Sequence, residues 1–212
     1  MQQVNLLQPE GCNAVGYHFF VRKLHSFLGV FPISFFLLEH LFTNSLALLN
    51  PLLFDSAVNF LQNIPYLGIV EILLIALPLT IHAIYGLYIV YIAKNNTSRY
   101  SYARNWMFYL QRISALITLI FVVVHVWHLR ITHYSTMSYN TVHNQLTDPF
   151  WLSFYVIGLI ASLFHFSNGL WNFAVSWGIV VGEKAQDFVW KICMIVFILF
   201  TVVGLATIWA FI

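Results

Sequence analysis

Four histidines, His40, His82, His125 and His165, each stand deep inside a separate stretch of apolar residues. An imidazole inside the hydrocarbon of a bilayer is costly and rare, so each is by default a functional candidate. Four, one per stretch, is the number needed to hold two flat iron macrocycles from both faces. Iron held by two imidazoles has no open coordination position, so it carries electrons and does not activate oxygen. The chemistry these residues predict is electron transfer through two haems, with His40, His82, His125 and His165 as the metal ligands. A rival reading makes them hydrogen-bonding residues of a non-redox polytopic protein, a transporter or scaffold, which gives no reason for their depths.

The chain that must position them has 212 residues, 60% of them hydrophobic, 18% aromatic and only 8% charged, with a mean hydropathy of +0.81. Soluble domains carry about 25% charged residues. Too few charges remain to cover a water-facing surface, so the chain reads as an all-α integral membrane protein. Apolar runs at approximately 24–49, 67–93, 106–131, 150–180 and 187–212 predict five transmembrane helices in one domain, after a polar arm at 1–16. The first four would form the haem-binding four-helix bundle, and the fifth, without a histidine, would pack outside it. Asn50-Pro51, Pro65, the polar run 94–99, the stretch 132–149 and Gly182-Glu183-Lys184 mark the connections. Pro32 and Pro78 fall inside helices, where membrane proteins tolerate a kink. Cys12 and Cys193 are too far apart for a CxxCH haem attachment and too few for an iron–sulfur cluster. The start of the chain has no basic stretch leading into an apolar core, so no cleavable leader is expected. No basic cluster suggests nucleic acid.

Cations set the orientation. Arg22 and Lys23 precede the first span, Lys94, Arg99, Arg104 and Arg112 lie at or near the second connection, and Lys184 and Lys191 at the fourth, with Arg130 alone on the other side. The positive-inside rule places the N-terminus in the cytoplasm. Counting about 1.5 Å per residue then puts His40 and His125 in the outer half and His82 and His165 in the inner half. The predicted pairs are His40 with His125 and His82 with His165, their irons on the order of 15 Å apart along the membrane normal.

Small residues share faces with these ligands. Gly86 and Gly169 each follow a histidine by four residues, and Gly29 and Ser114 each precede one by eleven, near three full turns. They are expected to leave clearance for a macrocycle, Gly29 and Ser114 at the depth of the inner haem. Arg22, His25 and Arg112 suit the propionates of the inner haem, and Arg130, with His128, those of the outer one. His128 is also a rival axial ligand; His18, His133 and His143 read as surface residues. Glu39 and Glu71 are the only acids inside apolar runs. Because quinone reduction takes up two protons, both are candidates for a catalytic proton or quinone role, with Phe42, Asn44 and Trp127 as candidate pocket walls near the outer haem.

Several blocks then resemble a known family. They are Arg22-Lys23-Leu24-His25-Ser26 with Gly29, His82-Ala83-Ile84-Tyr85-Gly86, Arg104-Asn105-Trp106-Met107, Gln111-Arg112, His125-Val126-Trp127 and His165-Phe166-Ser167-Asn168-Gly169-Leu170-Trp171. From about residue 17 onward the chain resembles the membrane-anchor cytochrome b of succinate:quinone oxidoreductase, in its single-polypeptide, five-helix, di-haem form. The resemblance implies a multi-pass subunit of the bacterial inner membrane that belongs to a succinate dehydrogenase or fumarate reductase. It implies two haem b held by the four histidines, menaquinone as the quinone, and two cytoplasmic partners, a flavoprotein and an iron–sulfur subunit. With no flavin motif or cluster cysteines, this chain has no dicarboxylate site of its own. A cytochrome b anchoring a hydrogenase or formate dehydrogenase would share the fold logic but not the His165–Trp171 block.

Overall fold

The computed structural model describes residues 10–132 and 137–212, with side chains from Gly16 onward. Among the described residues there is no strand, and five helical stretches are long and apolar enough to cross a membrane: Gly16–Leu48, Leu67–Ile92, Ala103–Thr132, Pro149–Ser176 and Glu183–Ala210. These five spans are the ones expected. Their ends differ, most of all in the first, where α1 (Glu10–Val30) is already helical within the expected polar arm. The first nine residues of that arm lie outside the described residues.

Three spans depart from regular α-helix. Pro32 has no N–H to give to the preceding turn, so span I breaks at Phe31 and resumes as α2 (Pro32–Ser45). Span II comprises α4 (Leu67–Glu71), a π-helical turn at Ile72–Ala76 and α5 (Leu77–Ile92). Pro78 cannot bond the carbonyl four residues back, and just before it the Leu77 N–H reaches Ile72, five back. Span III is α6 (Ala103–His125) followed by a second π-helical segment, Val126–Thr132.

Two connections expected to be irregular contain helices. α3 (Pro51–Gln62) is capped by the Asn50 side chain, which accepts from the Leu52 N–H, with Pro51 at its first position. α7 (Tyr139–Leu146) is capped by Ser138, which accepts from the Thr141 N–H. Asp55 joins the two by accepting from the Tyr139 N–H at 2.6 Å. Phe54, Val142, Leu146, Tyr155 and Phe211 form a buried cluster there, with Phe54 edge-on to Phe211 at 5.1 Å. One end of the bundle thus has a lid of two short helices, and the opposite end carries the basic residues other than Arg130.

Spans IV and V are α8 (Pro149–Ser176) and α9 (Glu183–Ala210). Asp148 caps α8, and Gly182, at φ 86°, turns the chain into α9. α8 is the central element. It packs along α6, where a Cβ on Gly158 would lie 2.0 Å from the Phe121 ring, and along α9, where one on Gly204 would lie 2.8 Å from Leu159. α1 packs along α5, through Gly29 and Gly86.

Candidate functional site

Spans I and III bring His40 and His125 together toward the lid end, ring centroids 5.7 Å apart and planes at 82°. Toward the basic end, spans II and IV bring His82 and His165 to 6.2 Å, planes at 80°. The residues paired by depth in the sequence are neighbours in space. Two imidazole–metal bonds in line, each about 2 Å, plus about 1.1 Å from each nitrogen to its ring centre, put centroids about 6 Å apart. Both pairs are close to that spacing.

Three of the four rings are held through Nδ1. His82 Nδ1 lies 2.9 Å from the His25 carbonyl oxygen, His165 Nδ1 3.1 Å from the Gln111 carbonyl oxygen, and His125 Nδ1 3.2 Å from the Tyr155 hydroxyl. Metal-binding imidazoles commonly tie their second nitrogen in this way, which fixes tautomer and ring orientation. Nε2 is then the nitrogen left for a ligand. His40 is held instead by ring contacts, with Phe36 at 5.3 Å and with His125. The donor set and spacing therefore fit two bis-imidazole haems.

His25, expected beside a propionate, clasps the candidate ligand His82. Its ring stacks on His82 at 4.1 Å and 11°, and its Nδ1–H donates to the His82 carbonyl at 3.0 Å, reciprocating the bond from His82. The glycines expected to clear a macrocycle face side chains. A Cβ on Gly29 would lie 2.5 Å from His82 Cε1, one on Gly86 3.3 Å from His25 Cε1, and one on Gly169 3.5 Å from Gln111 Nε2. The reason is helix approach: α1 and α5 come close enough for each imidazole to lie on the other helix's glycine.

Gln111 has a part that sequence reasoning missed. Its Nε2 donates to the His165 carbonyl at 3.0 Å, and its Oε1 accepts from Asn168 Nδ2 at 2.6 Å. Asn168 and Ser167 are fully buried, and Ser114, also buried, donates to the Gln111 carbonyl at 3.1 Å. The available signal was an amide in the middle of an apolar helix, where every polar group needs a partner. Tyr155 was missed as well, because a tyrosine in a membrane segment is unremarkable until its hydroxyl is located.

The charged candidates separate. Arg112 lays its guanidinium over the Phe108 ring at 3.5 Å, and among the described residues no oxygen accepts from it. Arg22 is exposed. Lys23 donates to the Ser176 carbonyl at the C-terminus of α8, where a cation is favoured. Arg130 forms an ion pair with Glu71, joining spans II and III. The sequence had assigned these two residues separate roles, since nothing in their local spacing links positions 59 apart. Glu39 accepts from the Thr43 hydroxyl at 2.6 Å. Phe42 and Trp127 are 66% and 63% exposed, and Asn44 donates to the His40 carbonyl at 2.7 Å. These three do not line a common enclosed pocket in the structure, because the two aromatic rings point out of the bundle. His128 stacks on Trp151 at 4.6 Å. His18 is exposed, His143 bonds the Phe211 carbonyl at 2.7 Å rather than standing free at the surface, and His133 lies outside the described residues.

Fold and site together define a polytopic helical membrane subunit whose bundle holds paired histidines at two depths. The family model for the succinate dehydrogenase/fumarate reductase transmembrane subunit matches residues 93–206. The chain is also 45% identical over 196 residues to the succinate dehydrogenase cytochrome b558 subunit of Bacillus subtilis (strain 168), covering 92% of this chain and 97% of that one. It belongs to the succinate dehydrogenase/fumarate reductase transmembrane-subunit family, which sets aside a hydrogenase or formate dehydrogenase anchor.

Proposed function

We propose that this chain is the cytochrome b anchor of a succinate:quinone oxidoreductase, conducting electrons between a cytoplasmic dehydrogenase and quinone in the bacterial inner membrane. The observation that carries the reading is the pair of facing imidazole couples, 5.7 and 6.2 Å between centroids, with Nδ1 held by protein oxygens in three of the four rings. His40 and His125 would hold one haem and His82 and His165 the other. Bound there, the two haems supply one-electron carriers at two depths. Tyr155, Gln111 and His25 orient the imidazoles, and Arg112 offers a cationic donor to a propionate at the basic end. The excess of Lys and Arg at that end supports a cytoplasmic N-terminus and docking of the flavoprotein and iron–sulfur subunits there. The cytochrome name of the Bacillus relative supports haem b, and we take menaquinone as the quinone of the two-haem form.

The test is a reduced-minus-oxidised spectrum of the purified complex with a haem count per chain. Two low-spin b haems are expected. One haem would remove one of the pairs, and none would return the chain to a purely structural anchor.

A further inference from the structure

A cavity of about 360 Å³ opens at the basic end, between the first turns of α6 and α9. Both helices pack along α8, so the floor between them is α8 itself, at Trp171. Trp171 is buried, and its indole N–H donates to the Gln186 carbonyl at 2.9 Å. The Gln186 side chain accepts from Arg104 Nη1 at 3.4 Å, a direct bridge from α9 to α6. Met107, Trp171 and Trp190 are buried or half-buried and make the apolar inner wall, whereas Arg104, Glu183, Lys184 and Asp187 stand exposed at the rim. Among the described residues Arg104, Glu183 and Lys184 have no ion-pair partner, and Asp187 meets Lys191 at 2.9 Å in a pair more than half exposed. Such surface pairs hold their partners weakly, by about 1 kcal/mol or less.

Two cations and two carboxylates cancel, so the rim is neutral as a whole but divided by sign. A purely anionic ligand would meet the carboxylates, and a purely cationic one the guanidinium and ammonium. The matched ligand carries phosphate and ammonium together. Tryptophans near the end of a span mark the membrane–water interface, where lipid headgroups lie. One turn deeper the same helix faces continue with Leu110 on α6 and Met194 on α9, both half-buried. We propose that this cavity holds the headgroup of a phosphatidylethanolamine from the lipid leaflet at the basic end. Its phosphate lies toward Arg104 and Lys184, its ammonium toward Glu183 and Asp187, and an acyl chain runs along Leu110 and Met194. The site does not depend on the haem reading.

Lipid binding to the purified complex tests it. Native mass spectrometry after addition of dioleoyl phosphatidylethanolamine should show one tightly held lipid per chain. Phosphatidylglycerol, and phosphatidylcholine whose ammonium has no N–H to donate, should bind about tenfold more weakly, as expected for lost charge-assisted hydrogen bonds. A phosphatidylethanolamine bearing a diazirine near the head of its acyl chain should label peptides 103–110 and 183–194, a readout that needs no variant. The double change Glu183→Gln and Asp187→Asn should abolish the preference over phosphatidylglycerol while leaving the thermal inactivation temperature of the complex unchanged. Equal or tighter binding of phosphatidylglycerol by the wild type overturns the proposal. So does labelling confined to other peptides, or a preference that survives the double change; the rim is then a solvated charged face only.

Discussion

Orientation of an imidazole is decided at one atom. Tyr155 is the only described side chain whose hydroxyl meets His125 Nδ1, whereas His165 is held by the backbone and amide of Gln111. If the complex holds the two proposed haems, Tyr155→Phe should retain both and move one of the two midpoint potentials by tens of mV, the scale of one neutral hydrogen bond. Gln111→Leu should move the other. A redox titration of the complex checks both; a shift of both potentials in either variant would mean a general loosening. The histidines were legible in the sequence because an imidazole in an apolar run has a cost that needs a reason. Their orienting partners were not: Gln111 and Tyr155 lie 54 and 30 residues from the rings they touch, and no local period links such positions.

Between elements, the decisive feature is how closely the helices approach. A methyl group at Gly158 would overlap Phe121 on α6, while nothing lies within 4 Å of one at Gly68. Gly158→Ala should destabilise by about 1–3 kcal/mol through overpacking, lowering the thermal inactivation temperature, with Gly68→Ala as the neutral control. The Glu71–Arg130 ion pair is a second constraint; Glu71 directly precedes the π-helical turn of span II, and Arg130 lies within that of span III. Such bulges are frequent at functional positions. Glu71→Gln should remove this link between spans II and III and lower the thermal inactivation temperature. If Glu71→Gln keeps haem and quinone reduction at wild-type levels, Glu71 has no part in proton transfer. Hydropathy alone located the five spans. It could not show the π-helical segments or α3 and α7, because a short half-polar helix between two spans has the composition of a loop.

Across the whole molecule, the two ends have different work. At the basic end Arg104 donates to Gln186 and Lys184 is exposed, and this is the end at which the soluble subunits are proposed to dock. The other end is closed by α3, α7 and Phe211, which is 2% exposed. Phe211→Ala should cost about 3–5 kcal/mol of packing in that lid, read as faster proteolysis between 50 and 66 with the spans intact. Orientation is checked in cells with single cysteines and a membrane-impermeant thiol reagent: Ser98→Cys should stay protected from outside and Asn144→Cys should react. The reverse pattern would invert the topology.

The His25–His82 clasp has a consequence for how this sequence can drift. Each imidazole lies on the other helix's glycine, so Gly29, His82, His25 and Gly86 occupy one shared volume. A larger residue at Gly29 pushes on His82, which carries His25 with it through their reciprocal bonds. The four positions therefore change together or not at all, and any variation tolerated among them has to arrive as a matched set.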